Sequence, residues 1–359
     1  MDHPLRIGIW ALVHGNRAAL HDPEEPYDAS WRRNRDLVLE AEALGYDCVL
    51  VAQHTMNPHH PDLGQLEAWT ASAALAAQTS RIEIIAAIKP MLYHPVALAK
   101  MATQIEEISG GRFAINLVNA WNRKEIEDAG LVFREHDERY AYGAEWLSVV
   151  ERLMRGEKLD HQGTYFQVKD YVLRPAGQFR SRPTIYVGGE SPPARDLVAA
   201  QADVWFINGQ PLENVQALIA DVRARPRQGA PVRFGLSTFV IARETEAEAQ
   251  QAYQRLLALA KQDTDIKAYV KANTDPAVAM RKTQAKYESV GTNGGTSGGT
   301  VGSYDQVAER IAQFHAAGIE TLLTQFQPFE PEMRRFARHV MPRLERLRST
   351  RRVAAPSLA

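Results

Sequence analysis

The sequence predicts a (β/α)8 barrel, an α/β fold in which eight parallel strands alternate with helices. Two observations support this prediction. Eight short, nearly continuous apolar segments recur along the 359 residues, and segments with apolar residues at helical spacing separate them. Buried strands of a parallel sheet have this composition. A doubly wound open sheet would use fewer strands and show a glycine-rich fingerprint after the first one, and neither feature fits.

The predicted elements alternate along most of the chain. Strands are predicted at residues 6–12, 48–52, 82–88, 113–118, 184–187, 204–208, 234–242 and 321–326. Helices are predicted at residues 31–44, 66–78, 95–108, 139–155, 192–202, 211–224, 245–261, 304–317 and 331–346. Gly45 follows the first helix, and Pro95 begins the third, where a missing N–H costs nothing. The segments around Tyr165 and Tyr171 indicate a small hairpin insertion.

Residues 263–302 depart from the alternation. Residues 291–302 contain six glycines, and ordering them would cost much backbone entropy, so we expect no packed element there and a mobile segment. A long barrel loop is more often a lid than a linker. The sequence therefore predicts one domain, residues 1–359, with a mobile lid insertion at residues 263–302 between strands 7 and 8.

Composition narrows the class of protein. Apolar residues make up 45% of the chain, and the formal net charge of −1 argues against a bulk attraction to nucleic acid or anionic lipid. No signal pattern or membrane-spanning apolar run is present, so we expect a cytoplasmic protein. Cys48, the single cysteine, lies in an apolar strand and is expected to be a buried structural thiol.

Asn116 interrupts the fourth predicted strand, which is otherwise apolar. A buried amide needs either a hydrogen-bonding neighbour or a ligand, and this segment alone leaves both open. In a barrel the active site lies at the carboxyl ends of the strands, which selects further candidates. They are Gln53 and His54 after strand 2, Lys89, Tyr93 and His94 after strand 3, Asn119 and Trp121 after strand 4, Gly188, Gly189, Glu190 and Ser191 after strand 5, and Asn208 after strand 6.

The Gly-Gly-Glu-Ser run at residues 188–191 leads directly into a helix. Such a turn presents backbone N–H groups and a hydroxyl to a phosphate, although it is also a common tight turn. Arg139 and Tyr140 open the preceding helix and can add a cation and a phenol to the same anion, or lie on the surface.

Metal and nucleophile chemistry are disfavoured. His54, His59, His60 and Asp62 resemble metal ligands, but a barrel hydrolase needs His-x-His after the first strand, which ends here in Leu-Val-His-Gly. There is no Gly-x-Ser-x-Gly elbow, and a buried Cys48 is a poor nucleophile. Since the chain supplies no hydride acceptor or electrophile of its own, a borrowed cofactor is expected.

Four motifs carry a resemblance to a known family. Residues 109–121, 136–140, 186–191 and 208–209 resemble the bacterial luciferase-like flavin-dependent monooxygenases, and the resemblance covers essentially the whole chain. Within that group the chain is most similar to two-component enzymes that use reduced FMN: the dimethylsulfone, alkanesulfonate and pyrimidine monooxygenases. Residues 208–215 resemble the sulfone enzyme and residues 299–304 the pyrimidine enzyme, so the substrate stays open.

The resemblance implies FMN as cofactor, delivered as FMNH2 by a separate NAD(P)H-dependent flavin reductase, with O2 as co-substrate. It places Gln53 and His54 against the flavin ring, Asn116 and Glu125 near its pyrimidine edge or ribityl chain, and Arg139, Tyr140 and Ser191 at the phosphate. Gly188 and Gly189 join the cofactor-binding candidates through the turn that they form. The catalytic candidates are His54, His94, Asn116, Trp121 and Arg123, although His94 can equally be a packed helix-start residue. We expect a homo-oligomer, a dimer or a tetramer.

Two departures from the family pattern bear on substrate. Ala87 stands where the pyrimidine enzyme has threonine, which favours oxidation of a sulfone or sulfonate with C–S cleavage over ring opening of a pyrimidine or cyclic amide. Asn119-Ala120-Trp121 replaces a more usual Ser/Thr-Gly-Trp and can reshape the substrate side. A deazaflavin (F420)-dependent oxidoreductase and a non-catalytic flavin-binding protein also stay open.

Overall fold

The computed structural model describes residues 4–16, 18–279 and 286–354, with side chains described as far as residue 347. Eight parallel strands close into a barrel, so the predicted fold class is confirmed. In chain order the strands are β1 (Arg6–Trp10), β2 (Cys48–Val51), β3 (Glu83–Ile88), β4 (Phe113–Leu117), β5 (Lys158–Gln162), β6 (Gln167–Val172), β7 (Thr184–Gly188), β8 (Val204–Ile207), β9 (Arg233–Phe239), β10 (Ile241–Arg243), β11 (Val301–Ser303) and β12 (Ile319–Gln325). Around the barrel the order is β1-β12-β9-β8-β7-β4-β3-β2.

The barrel strands are built as their composition predicts. Every residue of β2 and β4 is buried, because one face packs into the barrel and the other against helices. Strand β4 pairs with β3 on one side and β7 on the other, which sets Asn116 opposite Ala87 and Tyr186. Since all eight barrel strands run parallel, their carboxyl ends gather at one rim.

Helices surround the barrel. They are α1 (Trp31–Ala43), α2 (Ala68–Gln78), α3 (Pro95–Ser109), α4 (Arg123–Glu127), α5 (His136–Met154), α6 (Pro192–Gln201), α7 (Leu212–Ala224), α8 (Glu246–Gln262), α9 (Thr264–Asn273), α10 (Tyr304–Ala317), α11 (Phe329–His339) and α12 (Met341–Ala354). The Ser30 side chain caps α1, and Gly110 ends α3 in the left-handed region. None of the described helices is long and apolar enough to cross a membrane.

The structure differs from the predicted elements at four places. The sequence does not predict helices α4 and α9, because neither shows a clear apolar periodicity. The closing helix is divided into α11 and α12, since Pro342 lacks the N–H that would continue the hydrogen-bond ladder. The seventh predicted strand ends at Phe239, and β10 leaves the barrel to pair with β11. The predicted hairpin insertion is confirmed as the antiparallel pair β5–β6.

The glycine-rich stretch is packed, so the prediction that it cannot form a packed element is wrong. Residues Gly295–Gly298 form a 3-10 turn in which Gly295, Thr296 and Gly298 are buried. The glycines make this packing possible: Gly294 has φ 89°, and a Cβ there would lie 1.9 Å from the carbonyl oxygen of Gly209. The mobility of residues 263–302 and their role as a lid stay predictions, and residues 280–285 lie outside the described part of the chain.

Candidate active site

A large cleft opens at the carboxyl-terminal rim of the barrel. The empty space between its walls is about 1470 Å³, part of which is open solvent. Thirteen of the predicted site residues line it: Gln53, His54, Lys89, Asn116, Asn119, Trp121, Arg139, Tyr140, Gly188, Gly189, Glu190, Ser191 and Asn208. The structure therefore brings most of the predicted site together in one place.

Asn116 lies inside β4 and is 3% exposed. Its Oδ1 is buried and has no hydrogen-bond partner in the protein, so the ligand contact that the sequence leaves open stays a prediction. An unsatisfied buried acceptor costs about 1–3 kcal/mol. A ligand N–H or O–H in the cleft would remove that cost.

Two further amides at the rim are incompletely satisfied. The Nε2 of Gln53 donates to Glu67 Oε1 at 3.3 Å, but its Oε1 is buried without a partner. Both polar atoms of the Asn119 side chain also lack partners. With Asn116, the rim thus offers amide groups that can pair with the alternating N–H and C=O groups of a planar heterocycle.

Trp121 is turned towards the site by the residue before it. Ala120 has φ 35°, an unusual value for a residue other than glycine, and this bend follows directly on the end of β4. The Trp121 ring meets the His54 ring edge-on, with centroids 5.6 Å apart. At residues 119–121 the chain therefore keeps this bend with alanine at position 120, where glycine is more usual, and the backbone of Ala120 is strained as a result.

Beside the cleft, His54, Lys89 and Glu125 form a buried ionic cluster. Lys89 Nζ lies 2.5 Å from Glu125 Oε2 and 3.0 Å from His54 Nδ1, while His54 Nδ1 lies 2.9 Å from Glu125 Oε2. The other carboxylate oxygen of Glu125 accepts the backbone N–H of Thr55 at 2.8 Å. Burial by itself would raise the pKa of Glu125, but the neighbouring Lys89 and His54 lower this pKa to about 2.

The Gly-Gly-Glu-Ser turn has the form of an anion cradle. Gly189 has φ 113°, and a Cβ there would come within 2.7 Å of the Tyr140 hydroxyl, so only glycine keeps this approach open. Ser191 is the N-cap of α6, whose first two residues are prolines without N–H groups. The donors at this helix end are the backbone N–H of Ala194, the backbone N–H groups before Pro192 and the Ser191 hydroxyl.

Glu190 lies in the same turn and organises the end of β8. Its Oε1 accepts from the backbone N–H of Asn208 at 2.8 Å and from Asn208 Nδ2 at 3.1 Å. Burial raises the pKa of the Glu190 carboxyl. The sequence marks this position only as part of the turn, because its partner lies on the next strand.

Arg139 lines the cleft, but its guanidinium also has protein partners. It forms an ion pair with Asp275, and its Nη1 donates to the carbonyl oxygen of Arg134 at 2.7 Å. Its carbon Cζ lies 4.3 Å from the centroid of the Phe133 ring. The sequence does not predict Asp275 as a site residue, since it lies in the insertion far along the chain and nothing in its local sequence marks it.

Four predicted site residues do not line the cleft, and the first is Tyr93, whose hydroxyl donates to Glu67 Oε1 at 3.2 Å. His94 is exposed and caps α3, with its Nδ1 accepting from the backbone N–H of Val96 at 3.3 Å. Arg123 pairs with Glu127 at 2.8 Å on α4, and its side chain is 46% exposed. Glu125 is fully buried and reaches the cleft only through its partners His54 and Lys89.

The insertion covers one side of the cleft. Val270 and Thr274 from the end of α9, with Val278 and Ala279 beyond it, belong to the wall, and so do Thr292 and Asn293 from the glycine-rich stretch.

The candidate metal ligands do not converge: among the described residues, no group of three histidine, cysteine or acidic side chains is placed to hold an ion.

Comparison with known proteins gives a consistent result. The family model described as luciferase-like monooxygenase matches residues 5–321. An FMNH2-dependent dimethylsulfone monooxygenase from Pseudomonas putida is 30% identical over 361 residues, covering 99% of each chain. A protein of the same name from Pseudomonas fluorescens is 30% identical over 321 residues, covering 88% of this chain and 87% of its own. The crystal structure of DmoA from Hyphomicrobium sulfonivorans shares the fold, with a TM-score of 0.78 and 17% identity over 96% of this chain and 88% of that one.

Proposed function

Because the chain belongs to the luciferase-like monooxygenase family, we propose that it is the oxygenase of a two-component system that uses reduced FMN and O2. The proposed substrate is a small organosulfur compound, a sulfone or a sulfonate, whose C–S bond is cleaved. The observation that carries the proposal is the 30% identity to an FMNH2-dependent dimethylsulfone monooxygenase over 99% of both chains. A separate NAD(P)H-dependent flavin reductase, a homo-oligomeric state and a cytoplasmic location belong to the same proposal.

The residues of the cleft fit FMN. The unpartnered oxygens of Gln53 and Asn116 would accept from the N–H groups of the ring system. The turn at residues 188–191 and the Tyr140 hydroxyl would hold the phosphate, and Arg139 adds a positive charge close by. When bound, reduced FMN supplies the two electrons with which one atom of O2 enters the substrate and the other leaves as water.

The chain's own side chains perform the remaining tasks. Apolar groups from several strands, among them Leu50, Ala87 and Phe206, line the cleft and keep bulk water away from the reacting atoms. His54 places an imidazole on the wall, where it can hold or move a proton. Ala87 lies beside Asn116 in the sheet, where the pyrimidine enzyme has threonine. Its methyl group leaves more space at this point of the wall and provides no hydroxyl.

A coupled assay tests the proposal. The purified chain is combined with an NAD(P)H-dependent flavin reductase and FMN, and O2 uptake and product release are followed on small sulfones, sulfonates and cyclic amides. We expect substrate-dependent O2 uptake with release of an oxidised sulfur product. Turnover of cyclic amides alone would instead favour a ring-opening monooxygenase.

Two further outcomes concern the cofactor and the occurrence of catalysis. Binding of a reduced deazaflavin but not of reduced FMN, measured by difference spectra, would overturn the cofactor assignment. Tight FMN binding without turnover of any substrate in the panel would favour a flavin-binding protein. Each outcome is distinct from the rest because cofactor binding and turnover are measured separately.

A further inference from the structure

The buried cluster of His54, Lys89 and Glu125 joins three elements that are distant in the sequence. His54 follows β2, Lys89 follows β3, and Glu125 lies on the short helix α4. The side chain of Lys89 is 2% exposed and that of Glu125 is fully buried. Buried charges of this kind are costly unless they are paired, and their presence beside a cleft points to a function rather than to stability.

We propose that Lys89 and Glu125 are positioning residues that fix the orientation and the protonation state of His54 at the wall of the cleft. The proposal deepens the proposed function, because it assigns His54 as the group that exchanges a proton there. Neither partner needs to touch substrate or flavin. Their effect is transmitted through the imidazole, whose Nε2 is the ring nitrogen that this pair does not engage.

The chemistry of the three groups explains how they act. An ammonium group only donates hydrogen bonds and a carboxylate only accepts them, whereas His54 Nδ1 lies within 3.0 Å of both. Without a proton, Nδ1 accepts from Lys89, and the proton of the neutral ring is on Nε2. With a proton, Nδ1 donates to Glu125. The pair therefore accommodates both states of Nδ1 without movement of the ring.

The two charges act in opposite directions on the imidazolium form of His54. The carboxylate of Glu125 stabilises it, and the ammonium of Lys89 destabilises it. Because both lie at nearly the same distance from Nδ1, their effects oppose each other closely, which is suited to a group that must both gain and lose a proton near neutral pH.

Other titratable groups lie around His54 besides Lys89 and Glu125. The ring of His14, which follows β1, has its centroid 5.8 Å from that of His54. Trp121, on the β4 side, contributes no titratable group. The other titratable groups that line the same cleft, apart from Lys89 itself, are His59, His136, Arg139, Tyr140 and Glu190.

A histidine titration of the full-length protein tests the proposal. The chain is labelled with 15N-histidine, the His54 signals are identified by their loss in His54→Gln, and the ring nitrogens are followed against pH by NMR. Lys89→Met should raise the pKa of His54 by roughly 1–3 units, and Glu125→Gln should lower it by a similar amount. The double variant, which removes both charges, should bring it back towards the wild-type value.

Matched controls lie on the same short helix. Lys124→Met removes an exposed charge that pairs with Asp128, and Glu127→Gln removes one that pairs with Arg123. Because exposed charges are screened, the pKa of His54 in both variants should stay within about 0.3 units of the wild-type value. The pH profile of kcat/KM provides a second readout, and it should shift in the same direction as the titration in each variant.

Opposite shifts in the two single variants support the proposal. Shifts of the same sign, or shifts no larger than those of the controls, would overturn it. If one single variant does not fold, the comparison of wild type, the other single variant and the double variant still decides the matter. The titration requires no turnover, so a failed substrate assay and a failed positioning role are distinguishable.

Discussion

At the scale of single residues, the cleft contains polar atoms that the fold leaves unsatisfied. Asn116 is the clearest case, because its Oδ1 is buried within a barrel strand and has no protein partner. A protein under selection for stability alone would replace such an amide with an apolar side chain of similar size. We therefore predict that the missing partner of Asn116 belongs to a ligand in the cleft, which this amide lines.

Substitution of Asn116 by leucine should separate stability from ligand binding. In the ligand-free protein, Asn116→Leu should leave the free energy of unfolding unchanged or raise it by up to about 2 kcal/mol, because the unsatisfied acceptor is removed. Binding of reduced FMN should weaken about tenfold or more. Chemical denaturation and anaerobic titration measure the two effects.

Asn34 provides the matched control for this experiment. It is buried like Asn116, and its Oδ1 likewise has no partner, but its Nδ2 donates to the carbonyl oxygens of Leu12 and Ser30. Asn34→Leu should therefore lower the free energy of unfolding, with little direct effect on FMN affinity. Equal loss of stability in both variants would contradict the assignment of Asn116 to a ligand.

Glu125 should make stability depend on pH in the acid range. Its pKa in the folded protein is about 2, below the ordinary value of 4.5, so its contribution is fully present above pH 4.5 and is lost as the pH falls through about 2. This contribution is about 3 kcal/mol. Glu125→Gln should flatten that part of a pH series of denaturation curves, and a slope equal to that of Glu127→Gln would show the expectation to be wrong.

The same residues show what the sequence could reveal. Asn116 was recognisable because a single amide interrupts an apolar strand, and Gly189 because two glycines precede a helix. The pairing of Lys89 with Glu125 was not recognisable, since it depends on how the five-residue helix α4 packs against the loop that follows β3. Local patterns identify positions on strands, but not contacts between loops.

At the scale of elements, the insertion is fastened to the loop after β4. The backbone N–H of Asp275 donates to the carbonyl oxygen of Trp121 at 2.9 Å, and the Asp275 carboxylate pairs with Arg139. Thr274 and Asn122 form an isolated bridge beside this contact. One acidic residue thus connects the insertion both to the loop that carries Trp121 and to the arginine at the proposed phosphate site.

Loss of this connection should loosen the insertion. In Asp275→Ala, amide hydrogen exchange across residues 264–279 should become faster, while exchange in the barrel strands should be unchanged. During turnover, more hydrogen peroxide should be released without product, because the cleft is less well closed to water. Asp265→Ala, on the exposed first turn of α9, is the control, and equal exchange in the two variants would count against the connection.

The glycine-rich stretch should be sensitive to single methyl groups. At Gly294 a Cβ would collide with the backbone of Gly209, so Gly294→Ala adds a clash to the strain of a positive φ. At Gly229, φ is 93° and nothing lies within 4 Å of the added atom, so Gly229→Ala has the strain alone, about 1–2 kcal/mol. Urea denaturation should show a clearly larger loss of stability for Gly294→Ala, and equal losses would show that the segment is not packed in solution.

At the scale of the whole molecule, the sequence predicted the eight barrel strands because parallel strands buried on both faces have a composition of their own. It did not predict the pair β10–β11, since this contact joins segments sixty residues apart, with Ile241 opposite Val301. Just before the pair, Thr300 Oγ1 donates to the carbonyl oxygen of Phe239 at 2.7 Å. The packing of the glycine-rich stretch was missed for the same reason. Entropy arguments alone favoured disorder, and the compensating contacts lie elsewhere in the chain.

The adjacency of β1 and β12 has a consequence for the time course of synthesis. Arg6 pairs in register with Thr321, so the first barrel strand lacks one of its two neighbours until nearly the whole chain has left the ribosome. At roughly 5–20 residues per second, that interval lasts on the order of a quarter of a minute to a minute. During this interval the edge of β1 that will pair with β12 is exposed and can pair with other strands or aggregate. We therefore expect the nascent chain to bind chaperones until the barrel closes.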